Sequence, residues 1–346
     1  MTRFLHPYPP GVFITGLGHD VTLFVSRYLD IRSLGAMRTG GRTGDRYVAA
    51  VLSRRLRELV RDFVDDAEGH FIEELHQTNS VVGSLAAAHF LHPLDCRAPS
   101  ILAIFAPEKQ WFHVVAYLVH VEQCHVKIEL QQLNARRSKG ERVAILTSSR
   151  GKINVVQSRW ASPLEPIMNC WQSALYAYVT PTSFCDPYHE LTRRKRGLIN
   201  PRKVFPGLGI PTGQVARLIS KWSRRGWDLV QQAEDWGGSP GCGTPEARYC
   251  AGTQRYFGDK FCLTGVIAPV EARDVGRLPY NALEEYTVLW WRGGETCGPT
   301  CHSGDTEISS AVRVYPTNVL RMGTLDQFDY ITDMFVYPIA LLQIDQ

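Results

Sequence analysis

The chain has 346 residues, 44% hydrophobic and 21% charged, with a formal net charge of +4. That composition excludes a disordered chain and supplies one large or two modest cores. The charge is too mild to make nucleic acid the main partner. No apolar run approaches the roughly eighteen residues of a membrane span, and the first residues lack the apolar stretch of a secretory signal. Nine cysteines without such a signal suggest reduced thiols. The expectation is an intracellular protein, cytoplasmic or nuclear, with no membrane partner.

Residues 16–65 read as helices. Val21, Phe24, Val25, Tyr28 and Leu29 recur at helical spacing, Asp30 breaks the run, and Ser33-Leu34 begin a second short helix. A long amphipathic helix follows, with Val48, Val51, Leu52, Leu56, Leu59, Val60 and Phe63 as its inner face. Asp45 is its N-cap candidate, and Arg54, Arg55, Arg57 and Arg61 fall largely on the solvent side. From 69 to 158 helices and strands alternate. "HFIEELHQT" is a helix, "SVV" a short strand and "LAAAHFLH" a second helix. "SILAIFA" is a strand without a polar face, expected to be central and covered on both sides. "EKQWFHVVAYLVHVE" is again helical, and "VKIELQQL", "VAILTS" and "GKINVVQS" are strands.

Residues 163–178 read as a helix. The basic cluster Arg193-Arg194-Lys195-Arg196 reads better as a solvated face than as a nuclear signal or phosphate contact. A Gly/Pro-rich linker and the helix "QVARLISKWSRRG" come next. Beyond Gly237 the text is turn-rich, with strands at "YTVLWWRGG" and "SAVRVYP". The fold class expected is α+β. Its units are a helical unit at 14–66, a mixed α/β core at 67–185, a basic helical segment and linker at 186–236, and a Cys-containing β-rich tail at 237–346.

A nucleotidyl transferase needs two divalent metals, and hard Mg²⁺ takes carboxylate oxygens. Acids at i and i+2 of a strand share a face, a third acid comes from the neighbouring strand, and a Gly-Ser turn at a helix N-terminus holds phosphate. The text "PSILAIFAP" and "INVVQS" resembles fungal F-box-like proteins whose central domain has the nucleotidyltransferase fold. There a Gly-Ser turn precedes a Pro-Gly-Asp-Leu-Asp-Ile-Tyr strand, and a Val-Asp-Val-Ile-Gln-Ser strand brings the third acid. The matching positions here are Ile101, Ala103 and Asn154, while Pro99, Leu102, Ile104, Pro107, Val155, Gln157 and Ser158 agree. Gly83-Ser84 stands one residue before the position that ungapped matching gives the turn. The resemblance therefore implies a nucleotidyltransferase-like core with a vestigial nucleotide turn at Gly83 and Ser84 and no catalytic acids.

The N-terminal text resembles an F-box through Leu17, Asp20, Val21, Tyr28-Leu29-Asp30, Ser33-Leu34 and Gly41-Arg42. This implies docking to a ubiquitin-ligase adaptor through Leu17, Val21, Tyr28, Leu29 and Leu34. The alternative is that these helices only cap the sheet. In the tail, Cys242, Cys250, Cys297, Cys301 and His302 are candidate zinc ligands, set against the commoner reading of buried free thiols. The leading expectation is an inactive protein-binding or scaffold module with no cofactor or metal. Two alternatives stay open: a divergent transferase using Mg²⁺ with acids such as Asp95 or Glu108, and a substrate-recognition subunit of a cullin-type ligase whose target protein is unknown.

Overall fold

Among the described residues of the computed structural model, the first elements are the helices α1 (His19–Ser26), α2 (Ile31–Arg38) and α3 (Arg42–Arg61). The structure describes residues 19–26, 28–65, 69–129, 142–204, 213–237, 248–268, 282–298 and 301–317. Asp30 ends the first helical run because its carboxylate caps α2, accepting from the Ser33 N–H at 2.7 Å. Asp45 does not cap α3. Gly41 holds the N-cap position, so Asp45 falls inside the first turn and pairs with Arg38 Nε at 2.5 Å. Arg55 also departs from the solvent face. It is half-buried and donates to the carbonyls of Leu29 at 3.0 Å and Phe90 at 3.2 Å. Burial pulls its guanidinium down to about 10.

The alternating region follows its pattern closely. It comprises α4 (His70–Gln77), β1 (Val81–Gly83), α5 (Ser84–Leu91), β2 (Ile101–Ala106), α6 (Trp111–His120), β3 (His125–Glu129), β4 (Val143–Thr147) and β5 (Lys152–Gln157). Residues 163–178 are not a helix. Two 3₁₀ turns, Pro166–Asn169 and Ser173–Tyr176, flank an extended Cys170 (ψ 153°). Pro166 lacks the N–H that would continue a helix from the preceding residues. The chain continues through β6 (Tyr178–Val179), β7 (Ser183–Asp186), α7 (His189–Arg193), β8 (Arg196–Leu198), α8 (Pro201–Val204), α9 (Gly213–Ser223) and β9 (Asp228–Val230). Then come β10 (Arg255–Tyr256), β11 (Leu263–Val266), α10 (Ala282–Glu285), β12 (Tyr286–Trp291), β13 (Gly294–Glu295), β14 (Glu307–Ile308) and β15 (Ala311–Pro316).

An eight-stranded sheet runs in the order β11-β7-β6-β1-β2-β5-β4-β3. Only its β2–β5 pair is parallel; the other neighbours are antiparallel. The tail supplies β11, so the sheet crosses the boundary expected at 237. Smaller sheets join β10-β12-β15, β13-β14 and β8-β9.

All six residues of β2 are buried, as its unbroken apolar text requires. Strand alternation splits them between two cores. Leu102, Ile104 and Ala106 join the residues of α2 to α6, while Ala103 and Phe105 join a second core with Trp171, Trp222, Trp227 and Trp290. In the second core Trp222 meets Trp227 edge-to-face at 4.8 Å. The fold is a mixed α+β layering: helices, sheet, then C-terminal segments. Among the described residues no helix is long and apolar enough to cross a membrane.

Candidate functional site

The register of the sheet sets the expected transferase positions side by side. Gly83 of β1 pairs with Ala103 of β2, and Ala103 pairs with Asn154 of β5. Tyr178 and Ile145 flank this row on β6 and β4. Residues paired across neighbouring strands point to the same face, and Ala103, Tyr178 and Ile145 all pack into the second core. Ile101, two residues before Ala103, shares that face and pairs with Lys152. None of the five row positions carries a carboxylate. Ile101, Ala103 and Asn154 are 5%, 1% and 4% exposed.

The Gly-Ser turn is closed as well. A Cβ placed on Gly83 would lie 2.6 Å from the Phe105 ring and 3.4 Å from Ile167, so those side chains fill the space beside the turn. Ser84 adopts φ 60°, a left-handed geometry that costs a non-glycine residue on the order of 1–2 kcal/mol. It is the first residue of α5, and it and the next four residues of that helix are buried. The amides at this helix N-terminus are therefore shut away from any phosphate in solution. Asp95 lies in the turn after α5 and Glu108 in the turn after β2, both half-buried and neither on the row.

Sequence reading missed a buried carboxylate on the same side of the sheet. Glu165, 1% exposed, pairs with Arg159 and accepts from Asn169 Nδ2 at 3.5 Å. It also missed the His92–Asp186 pair, joined at 2.9 Å and buried at both ends. His92 follows α5 and Asp186 ends β7, so no local spacing signals the pairing. A cleft of about 410 Å³ opens beside the row between the sheet edge and the tail, lined in part by Tyr178, Phe184, Phe257, Thr264 and Val288.

The expected docking residues divide. Leu17 lies outside the described residues. Val21, Phe24 and Tyr28 are 50%, 58% and 58% exposed, and Phe24 meets Tyr28 edge-on at 5.4 Å. Val21 and Phe24 stand three apart on α1, and the ring contact brings Tyr28 of the following turn beside Phe24, whereas the buried side of α1 carries Thr22 and Ser26. Leu29 is half-buried against the helical core. Leu34 is fully buried in that core and is no contact residue, because α2 turns its apolar side onto α3. The basic cluster is a solvated face: Arg193 and Arg194 are exposed, Arg193 lies 3.8 Å from Glu190, and Arg196 lies 3.7 Å from Asp228.

In the tail, Cys250, Cys297 and Cys301 converge, with sulfurs within 4.8 Å of one another. Cys242 lies outside the described residues. His302 is exposed and does not belong to this group. No family model matches the chain, and neither a curated protein nor a solved structure matches it significantly.

Proposed function

We propose that this chain is a catalytically inactive protein of nucleotidyltransferase-like fold that acts as a protein-binding scaffold. One observation carries the reading: the row Gly83–Ala103–Asn154 holds no carboxylate, Phe105 and Ile167 fill the space beside Gly83, and Ala103 and Asn154 are buried. In-line phosphoryl chemistry needs hard oxygen ligands around two metals and an open face for the triphosphate. The methyl of Ala103, the branched alkyl group of Ile101 and the amide of Asn154 meet neither need. The amphipathic N-terminus supports partner binding, because Val21, Phe24 and Tyr28 leave an apolar stripe in water. A partner offering an apolar helical groove fits this stripe, and the F-box-like text makes a ubiquitin-ligase adaptor the first candidate.

Calorimetry with ATP and the other nucleoside triphosphates, with and without Mg²⁺ or Mn²⁺, tests the inactive site. No heat from a folded sample is expected. Metal-dependent heat would overturn the reading and make the chain a divergent transferase. For the stripe, the intact chain is expected to bind purified adaptor and the Val21→Asp, Phe24→Asp, Tyr28→Asp triple variant to lose that binding at least tenfold. An intact chain that ignores the adaptor removes the ligase assignment.

A further inference from the structure

The thiol cluster in the tail belongs to neither the sheet row nor the N-terminal stripe. Cys250 closes the turn at 248–250, and Cys297 and Cys301 lie in the loop between β13 and β14. Cys250 and Cys301 are 51 positions apart in sequence, yet their sulfurs stand 3.7 Å apart. A disulfide bond is far shorter, about 2.05 Å. Two corners of a tetrahedron with Zn–S bonds of about 2.3 Å lie roughly 3.8 Å apart, which is the separation found. We propose that Cys250, Cys297 and Cys301 bind one zinc ion that staples the β13–β14 loop to the 248–250 turn.

The surrounding backbone is built for close approach. The Cys301 N–H bonds the Gly298 carbonyl at 3.0 Å, and the Gly304 N–H bonds the Cys301 carbonyl at 3.0 Å. At the base of the loop, Thr296 N–H and Oγ1 hold the carbonyls of Thr306 and Asp305 at 3.0 and 2.9 Å. Gly252 packs so near that an added Cβ would sit 3.4 Å from Cys301 Sγ and 3.0 Å from Ser303 Oγ. Ser303 Oγ donates to Cys301 Sγ at 3.1 Å, a donor that favours thiolate. Burial raises the Cys250 thiol, while the N–H groups of Gly252 and Cys297 work against that rise.

Zinc takes thiolate sulfur readily, and the three groups that converge here are thiols. Each thiol gives its proton to solvent on binding, so zinc entry releases up to three protons and needs no oxidant. Two of the sulfurs are buried and the third is half-buried. Three thiols leave the fourth position of the tetrahedron for one further donor. The bound ion would link the 248–250 turn to the loop between β13 and β14.

The test uses the full, reduced protein. Elemental analysis after incubation with Zn²⁺ and removal of excess is expected to find about one zinc per chain, released when a mercurial caps the thiols. Co²⁺ in its place is expected to give the intense visible absorption of a tetrahedral thiolate site. Cys301→Ser and Cys250→Ser should lower bound metal at least tenfold, whereas Cys262→Ser, outside the cluster, should leave it intact. The cobalt spectrum of the unaltered chain decides the matter if the variants fail to fold. Less than about a tenth of an equivalent in the folded protein overturns the proposal, as does a Cys250–Cys301 disulfide that forms in preference to metal binding.

Discussion

Gly83 sits where neighbouring side chains leave no room for one of its own. The Phe105 ring lies over its α-carbon, at 2.6 Å from where a Cβ would sit, and Ile167 backs it at 3.4 Å. Gly83→Ala forces the ring off its position in a core with little free volume, and overpacking of this kind costs about 1–3 kcal/mol. The variant is expected to unfold at lower urea concentration, and Phe105→Leu made in the same chain should recover much of the loss. Equal costs with and without the second change would mean that the ring does not guard the turn. The sequence shows that Ile101, Ala103 and Asn154 carry no acid and that Gly83-Ser84 form a Gly-Ser pair. It did not reveal that the turn is covered, because Phe105 and Ile167 reach it from elsewhere in the chain.

At the scale of elements, the N-terminal helices are tied to the rest by charge as well as by apolar packing. Arg32 of α2 contacts His189 Nε2 at 2.6 Å and also pairs with Glu190, both in α7. Burial lowers the His189 pKa below 6.5, with Asp186 and Glu190 opposing and Arg32 and His92 reinforcing. A histidine whose folded pKa is depressed contributes fully above its unfolded value, and the contribution declines as pH falls toward the folded value. Burial raises Glu190, but the Arg32 hydrogen bond and charge, with His189 and Arg193, carry it below 4.5. Its contribution is likewise present above the unfolded value and lost in acid. Chemical denaturation between about pH 7.5 and pH 5.5 should therefore show stability falling with acid, and His189→Gln should flatten that fall. An unchanged slope would assign the titration to another group. The same residues carried no such signal in the sequence, where α2 and α7 are 157 positions apart at this contact.

Across the whole molecule the tail is part of the fold. Leu263–Val266 of β11 pairs with β7 and covers the edge of the large sheet. Arg255 is buried between Tyr188, Phe261 and Trp290 and forms an ion pair with Asp259. Arg292, also buried, donates to the carbonyls of Ile199 at 2.9 Å and Gln231 at 2.7 Å. Truncation after residue 236, at the boundary composition suggests, strips β7 of its outer neighbour β11, leaving only β6 beside it, and opens the second core. The shortened chain is expected to aggregate or to lose its cooperative thermal transition, read by circular dichroism and light scattering. A soluble fragment melting cooperatively would show that the tail is an independent unit.

By itself the sequence determined the kind and order of most elements, since apolar spacing reports which face of a helix or strand is buried and that is a local property. It also determined the burial of β2 and the absence of acids at Ile101, Ala103 and Asn154. It erred at 163–178, where an extended Cys170 separates two short 3₁₀ turns, and at Leu34, whose burial depends on where α2 lands. Only the tertiary structure set Gly83, Ala103 and Asn154 in one row, drew a tail strand into the sheet and brought Cys250 to Cys297 and Cys301. Each of those outcomes is a contact between distant parts of the chain, and pairing register and loop closure are decided by the packing of the whole rather than by any local pattern.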